Sequence, residues 1–579
     1  MSNFTTWRSL VDGEEVGGIP DSELSQTFIH LDADEIEAND NDEITTWEDL
    51  TDNNNDVTAI NGRPTYDSDF QNGRGVLQFN DTPMDTAFAE ESQPNTIITV
   101  VHGQSTFQTG ETADCIVDSQ TGTDTFHLHR IFDKSSDRGP TYRNFAGDSY
   151  ESEENDVIDD FHIFTSVFDG ANSAIRANGS ILSTREDNDN VGPNGLNGVT
   201  IGHRNDLTTE NDELIGPLGT VVISNTAESE VDIENEELRL GRRWGIDITF
   251  TATETNSTTN DSRQMVADGD YLYVGGGHNT DGLTIIDVSD PRNPQFESLT
   301  GTVTDIGHGV AKKGDYAYVS GRASGSIEVF DVSDPTNPTI VDSISNSDRQ
   351  GSLGLHIVDN TLYCAVAGDN DPDVSDSVDG GLQAVDITDP TNISETAFIS
   401  SDVDGSIYPE RKPGTDTLLL TPYRADRFST FDISDRNNPS LNVSTSFEEL
   451  DDGRGLDVKG DTAFIADQNG RVLSIDVSDP NNPSQIDSLS DSDLNGAREC
   501  RLSNSGNQLV VAGRQSDIAT ILDVSDESNL TKEGTISDAE FRELYGVEID
   551  GDRLYLTNAD WQEDGDTGDV HVVRSSKIE

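Results

Sequence analysis

Arginine is uncommon in this chain, with 28 copies among 579 residues, yet three of them recur at one position of a repeat. Counting back from each Gly-Asp-type turn in the C-terminal half gives Arg263, His308, Leu353, Tyr408, Arg454, Arg498 and Tyr545. All seven fall at the start of the first strand of a repeat. Guanidinium groups take carboxylates and phosphates through paired hydrogen bonds, and tyrosine faces stack on sugars. Leu353 aside, these residues are the candidate ligand-binding set, and an anionic glycan is the ligand that suits it. A plainer reading is preferred: the same arginines neutralise neighbouring Asp side chains and fill the middle of the array.

Two acidic insertions lie beside the same positions. Asp369-Asn-Asp371-Pro-Asp373-Val-Ser-Asp376 and Asp560-Trp-Gln-Glu563-Asp564-Gly-Asp566 alternate Asp with other residues, and hard cations need several oxygen ligands. Asp369, Asp371, Asp373, Asp564 and Asp566 are therefore the candidate calcium ligands. Neither string completes an EF-hand, since Val374 stands where Gly belongs and no closing Glu follows. Solvated loops are the simpler account. Calcium is the one cofactor the pattern admits, and none is required.

Other chemistry finds no footing. There is no nucleophile elbow, phosphate loop or His-Glu-x-x-His. Gly275-Gly-Gly277 sits in a strand-to-strand turn, and His278, His308 and His356 share no short ligand spacing. A retaining glycosidase needs two carboxylates ~5.5 Å apart. The nearest strings, Asp32-Ala-Asp-Glu-Ile-Glu37 and Glu151-Ser-Glu-Glu-Asn-Asp156, sit in no apolar alternating strand. Cys115, Cys364 and Cys500 are scattered, giving neither a disulfide framework nor a zinc site. Cys364 and Cys500 read as small core residues. No reaction is expected, and the chain reads as a non-enzyme.

The elements that position these residues are repeats. Asp287-Val-Ser-Asp-Pro291 returns as Asp331–Pro335, Asp386-Ile-Thr-Asp-Pro390 and Asp476–Pro480, with degenerate copies at Asp432–Arg436 and Asp523–Glu527. The spacings of 44, 55, 46, 44 and 47 residues suit blades of a β-propeller rather than helical solenoids. Alternating apolar strands such as Tyr271-Leu-Tyr-Val274 and Leu283-Thr-Ile-Ile286 flank each turn. The Asp-rich motif itself is punctuation, because short Asp and Ser side chains bond their own backbone and Pro fixes φ. The last copy lacks a fourth strand. Asp247-Ile-Thr-Phe-Thr-Ala252 is expected to supply it, closing seven blades and leaving no open sheet edge. The repeats over about residues 255–579 resemble the LVIVD family, whose repeat reads much like Leu283-Thr-Ile-Ile-Asp287. That resemblance implies a propeller and little about chemistry.

Net charge is −76, from 111 acidic against 35 basic residues. Such a chain repels itself in dilute buffer, whereas molar salt shortens the Debye length to ~3 Å. The reading is a haloarchaeal protein, or one from a virus of such a host. Nucleic acid is excluded as a partner by charge. No run of 18 apolar residues exists, so no membrane insertion is expected. The N-terminus shows neither an apolar leader nor a twin-Arg signal.

Before the propeller lies a second all-β region, with strand-like runs such as Thr96–Val101, Phe161–Phe168 and Gly219–Ser224, and one helix at Glu234–Arg243. Many short strands with polar turns favour a two-sheet sandwich. Trp47 with Asn53–Asp56, Val76–Asp81, Phe168-Asp-Gly170 with Ala177-Asn-Gly179, and Ile201–Asn205 with Leu238–Ile246 resemble landmarks of the laminin G-like, concanavalin A-like jelly-roll family. That likeness implies sugar-binding or adhesive modules and a minority of glycosidases.

The expected architecture is all-β: an arm at 1–27, a concanavalin A-like β-sandwich at 28–246, a linker at 247–262 carrying the closing strand, and a seven-bladed β-propeller at 263–579. The expected role is recognition without catalysis. A virion protein (fibre, spike or capsid decoration) reconciles adhesive folds with the missing export signal. Its partners would be a host cell-surface glycan or glycoprotein, other virion proteins through the arm, and further copies of itself as a homo-oligomer. It would sit on the virion surface, or extracellularly at a cell surface. The rivals are a haloarchaeal surface or scaffold protein docking through the propeller, and a glycan hydrolase with an accessory propeller.

Overall fold

The computed structural model describes residues 24, 26–71, 73–89, 91–102, 113–119, 128–132, 141–146, 149–151, 161–182, 194–203, 214–256, 263–275, 282–300, 307–368, 379–400, 403, 406–422, 427–558 and 568–578. The chain forms two compact units whose border falls between Thr249 and Phe250.

Among the described residues, the N-terminal unit is a sandwich of two eight-stranded antiparallel sheets. Ile215–Ser224 is the spine of one sheet. Asn95–His102 pairs along one of its edges, and Thr27–Asp32 and Arg74–Asn80 share the other. Ile29, Leu31, Phe79, Ile97, Phe164 and Val221 of this sheet share one core with Trp47, Val57, Met84, Val117 and Ile201 of the second. The spine and its neighbour are buried almost throughout, because a helix covers their other face. That helix runs from Glu230 to Trp244, longer at both ends than the sequence pattern predicts. Ser229 caps its start by accepting from the Asp232 amide, and Gly245 ends it in a left-handed conformation with φ 67°. Trp244 stacks on Phe161 at 5.6 Å and donates to Thr220 Oγ1 at 2.9 Å. Gly219 leaves room for the indole, which a Cβ there would meet at 2.5 Å.

Ionic groups also lie beneath this helix. Glu237, with no exposed side-chain surface, accepts from Arg176 Nε and Nη2 and from Thr165 Oγ1. Arg243 bonds Asp32 at 2.7 Å and Glu35 at 3.0 Å. A buried guanidinium persists only when its charge is met, as carboxylates meet both of these.

The C-terminal unit contains, among the described residues, seven four-stranded antiparallel sheets. Six are consecutive meanders; the first is Met265–Asp268, Tyr271–Gly275, Leu283–Asp287 and Gln295–Thr300. The remaining sheet takes Leu544–Asp550, Arg553–Asn558 and Gly568–Ser575 from the end of the chain and Thr249–Asn256 from before the first repeat. Thr253 Oγ1 lies 3.0 Å from His571 Nδ1, and Thr255 Oγ1 donates to Asp569 at 2.7 Å, tying that strand in. Each DVSDP copy makes two successive Asx turns. Asp287 and Asp290 accept from the Ser289 and Arg292 amides at 2.8 and 3.0 Å, and Asp476 and Asp479 repeat this at Ser478 and Asn481. The motif is turn chemistry. Cys364 and Cys500 are buried strand residues, and burial pushes both thiols up, that of Cys364 to about 12.

Candidate functional site

The first strands of neighbouring sheets touch through glycine. A Cβ on Gly309 would lie 2.3 Å from Leu353 O, on Gly354 2.4 Å from Ile407 O, on Gly455 2.5 Å from Arg498 O and on Gly546 2.1 Å from Arg263 O. Only glycine lets these backbones approach so closely. The contacts also fix the register from sheet to sheet. Arg263, His308, Leu353, Arg454, Arg498 and Tyr545 are equivalent, one residue ahead of the close approach.

Tyr408 is not their equivalent; Ile407 is. Pro409 faces Leu420 where Met265 faces Val274, so the hairpin of the fourth sheet is two residues longer. Counting back from its turn therefore misplaces Tyr408 by one residue. Its ring instead packs against Gly354, whose Cβ would meet it at 2.7 Å. None of this candidate set presents an open surface: Arg263, His308, Tyr408, Arg454, Arg498 and Tyr545 are only 0–5% exposed.

Arg263 and Arg498 both stack on Tyr545, with guanidinium carbons 5.1 and 5.4 Å from the ring centre. Arg454 bonds Asp452 at 2.7 Å. Arg322, 1% exposed, adds its charge to this tier. Arg514 joins on the Arg498 side, bonded to Glu543 at 2.6 Å. Both arginines follow glycine at the end of a second strand. Burial, together with Arg263, Arg322 and Arg454, holds His308 neutral, its pKa well below the usual histidine range. Burial and the cationic neighbours Arg454 and Arg514 bring Arg498 down to about 10.

A second tier lies three residues further along the same strands, or ~10 Å at strand rise. His356, Glu410, Asp457, Arg501 and Glu548 occupy it; the sequence reading named only His356, as a histidine without ligand spacing, and missed the other four. Arg501 is the hub, bonding Glu499 at 2.9 Å and Glu548 at 3.2 Å, while His356 lies 3.4 Å from Glu410. Burial raises Asp457 to about 6 and Glu499 to about 7 despite Arg501. Burial likewise raises Glu548. Glu410 goes the other way: desolvation is the largest single effect, but the charge and hydrogen bond of His356, with Arg501 and the Arg411 amide, together outweigh it. Between the tiers Gln264 spans three sheets, its Oε1 accepting from the Val310 and Leu355 amides, both at 3.2 Å.

Asp32, offered above as half of a carboxylate pair, is the partner of Arg243 and caps a short 3₁₀ turn. Asp34 is likewise bound, to Arg74 at 2.6 Å. Residues 152–156 of the other acidic string lie outside the described residues, as do Asp369, Asp371, Asp373, Asp564 and Asp566 and the arm before Leu24. Among the described residues no His, Cys, Asp and Glu cluster is placed to hold a metal, and no helix is long and apolar enough to cross a membrane.

Residues 260–302, 307–345 and 452–491 match the LVIVD repeat. Together with the repeated four-stranded sheets, this makes the C-terminal unit a β-propeller carrying LVIVD repeats. No curated protein matches the chain. Among solved structures it is similar to the Cps50 (Swd1) β-propeller domain of Myceliophteria thermophila, at 13% identity and TM-score 0.43, over 55% of this chain and 98% of that one. The WD40 β-propeller domain of Doa1 is similar at 11% identity and TM-score 0.41, over 56% of this chain and 97% of that one. The computationally designed Ika8 protein is similar at 9% identity and TM-score 0.38, covering 81% and 99%.

Proposed function

We propose that the chain is a non-enzymatic recognition protein of a halophilic system, a concanavalin A-like sandwich followed by a closed seven-bladed propeller. The observation that carries this is how the axis spends its ionisable groups. Arg501 is held by Glu499 and Glu548, His356 by Glu410, and Arg454 by Asp452. Groups locked on one another hold blades together and are not poised as nucleophile and base. Function then falls to the outer faces of two rigid all-β modules, a use common to both folds by analogy. The acidity speaks for a molar-salt environment. Adhesive modules working there fit a virion fibre, spike or decoration that meets a host glycan or glycoprotein, with symmetric copies adding avidity.

The compartment is tested by mass spectrometry of density-banded virions from lysed haloarchaeal cultures carrying this gene. Enrichment of the chain with the capsid band supports the virion role. Confinement to the cell envelope or cytosol would replace it with the cellular docking role.

A further inference from the structure

A pocket of about 600 Å³ opens between the fourth and fifth sheets of the propeller, on the face where the first strands begin. That volume falls within the ~300–1,000 Å³ usual for small-ligand sites. One wall is the link 446–451, which leaves the outer strand Ser440–Ser446; the other is Asn469 and Arg471, opening the strand Asn469–Asp476. The walls are fixed from behind. Asp467, fully buried, accepts from the Asp451, Asp452 and Asn469 amides, all at 2.9 Å. Glu449 Oε2 accepts from Ser488 and, at 2.7 Å, from Gln485, bonds that hold its carboxyl below the usual range and keep it charged. Asn469 Nδ2 donates to Asp451 Oδ2 at 3.1 Å. Arg471 Nη1 donates to the Glu449 carbonyl at 2.8 Å, the one hydrogen bond of this guanidinium among the described residues. Such a framework leaves donors and acceptors over: Nη2 of Arg471, Oε1 of Glu449 and the Oδ1 atoms of Asp451 and Asn469.

The mixture of groups decides the class of ligand. Glu448, Glu449 and Asp451 stand against Arg471 alone, so an anion is repelled, while a cation meets the guanidinium. A hydroxyl donates and accepts at once, so neighbouring hydroxyls of one ring give to the carboxylates and take from Arg471. Half-buried Phe447, its ring 6.2 Å from that of Phe428, adds an apolar patch for the C–H face of such a ring. Molar salt screens ionic attraction beyond ~3 Å, and a neutral ligand loses nothing to it. We infer that the pocket between the fourth and fifth sheets is a binding site for one neutral pyranose unit, hydrogen-bonded by Arg471, Asn469, Asp451 and Glu449. This deepens the recognition role proposed above and rests on it for the source of the sugar, a surface glycan rather than a free saccharide.

The test is saturation-transfer NMR with calorimetric titration of the full chain in molar KCl. The probes are the methyl glycosides of glucose, galactose, mannose and N-acetylglucosamine, with that of glucuronic acid as the charged control. The expected result is saturable binding of at least one neutral glycoside and weaker binding of the glucuronide. Arg471→Gln weakens binding about tenfold or more, and Asn469→Ala weakens it about two- to tenfold. Binding of no neutral glycoside, binding of the glucuronide alone, or unchanged binding in the folded variants overturns the site. If Arg471→Gln does not fold, Asn469→Ala decides, since Asn469 is exposed and its side chain makes a single bond among the described residues. Release of the protein from haloarchaeal cells by the glycoside that binds identifies a surface glycan as the source; binding without release assigns the site to a free saccharide. Cell binding that persists when no glycoside binds leaves the recognition role standing and removes this site. Glycoside binding without any cell binding does the reverse.

Discussion

The glycines at the propeller axis offer a measured contrast within one sheet. Gly546 abuts the neighbouring first strand, and a Cβ there would lie 2.1 Å from Arg263 O, when contacts under 3.0 Å are essentially never seen. The obstacle is backbone and cannot rotate away, so Gly546→Ala must push the last and first sheets apart by about 0.9 Å (3.0 − 2.1). Overpacking of this kind costs about 1–3 kcal/mol, and a rigid neighbour puts it near the top, ~3 kcal/mol. Gly551, five residues on, sits in a turn at φ 62° with nothing within 4 Å of a Cβ. Gly551→Ala bears only the left-handed backbone penalty, about 1–2 kcal/mol. At roughly 2–4 °C per kcal/mol for a unit of this size, the propeller transition falls ~6–12 °C for Gly546→Ala and ~2–8 °C for Gly551→Ala. Thermal unfolding followed by circular dichroism in molar KCl reads the difference. Equal effects would mean that the last sheet does not press on the first, and the closed ring would be wrong.

Three further outcomes follow from the same structure. Lowering KCl from molar to about 0.1 M lengthens the Debye length from ~3 to ~10 Å and should lower the unfolding temperature steadily; a flat profile by calorimetry would detach the −76 charge from any halophilic role. Glu237→Ala strands the buried Arg176 guanidinium and should cost about 3–5 kcal/mol by chemical denaturation of the sandwich, and a loss under 1 kcal/mol would show that the pair is solvated. Because Asp457 and Glu499 are raised from 3.8 and 4.5 to about 6 and about 7, the folded state holds more protons than the unfolded one between those values. Stability should therefore fall as pH rises through about 4 to 7. Glu499→Gln should flatten that slope, and an unchanged slope would place the protons elsewhere.

Legibility followed the physics of each feature. The DVSDP turns were readable because Asx chemistry is local, with donor and acceptor two residues apart. The missing fourth strand was readable because a sheet edge needs a partner. Tyr408 was misplaced because its register depends on a hairpin length that no motif marks. Arg322 and Arg514 left a signal that went unread, a Gly-Arg pair ending the second strand of two repeats. The tier around Arg501 is invisible to motif reading, because its members come from five strands spread over His356 to Glu548 and meet only when the sheets stand around an axis. Which groups Arg263 and Arg498 meet was beyond the sequence for the same reason, because the Tyr545 ring they share comes from a different sheet. In the sandwich, Trp47 was marked out by type. Asp49 was not, although its carboxylate accepts from the His30, Thr51 and Asn55 amides and orders the turn.

The recognition role stands or falls on binding to cells. Fluorescently labelled full-length protein, folded in molar KCl, is titrated onto intact haloarchaeal strains with and without soluble surface glycan. Saturable binding to some strains and not others, released by the competing glycan, is the expected result. No binding to any strain by well-folded protein would contradict it and leave a structural decoration or an intracellular scaffold.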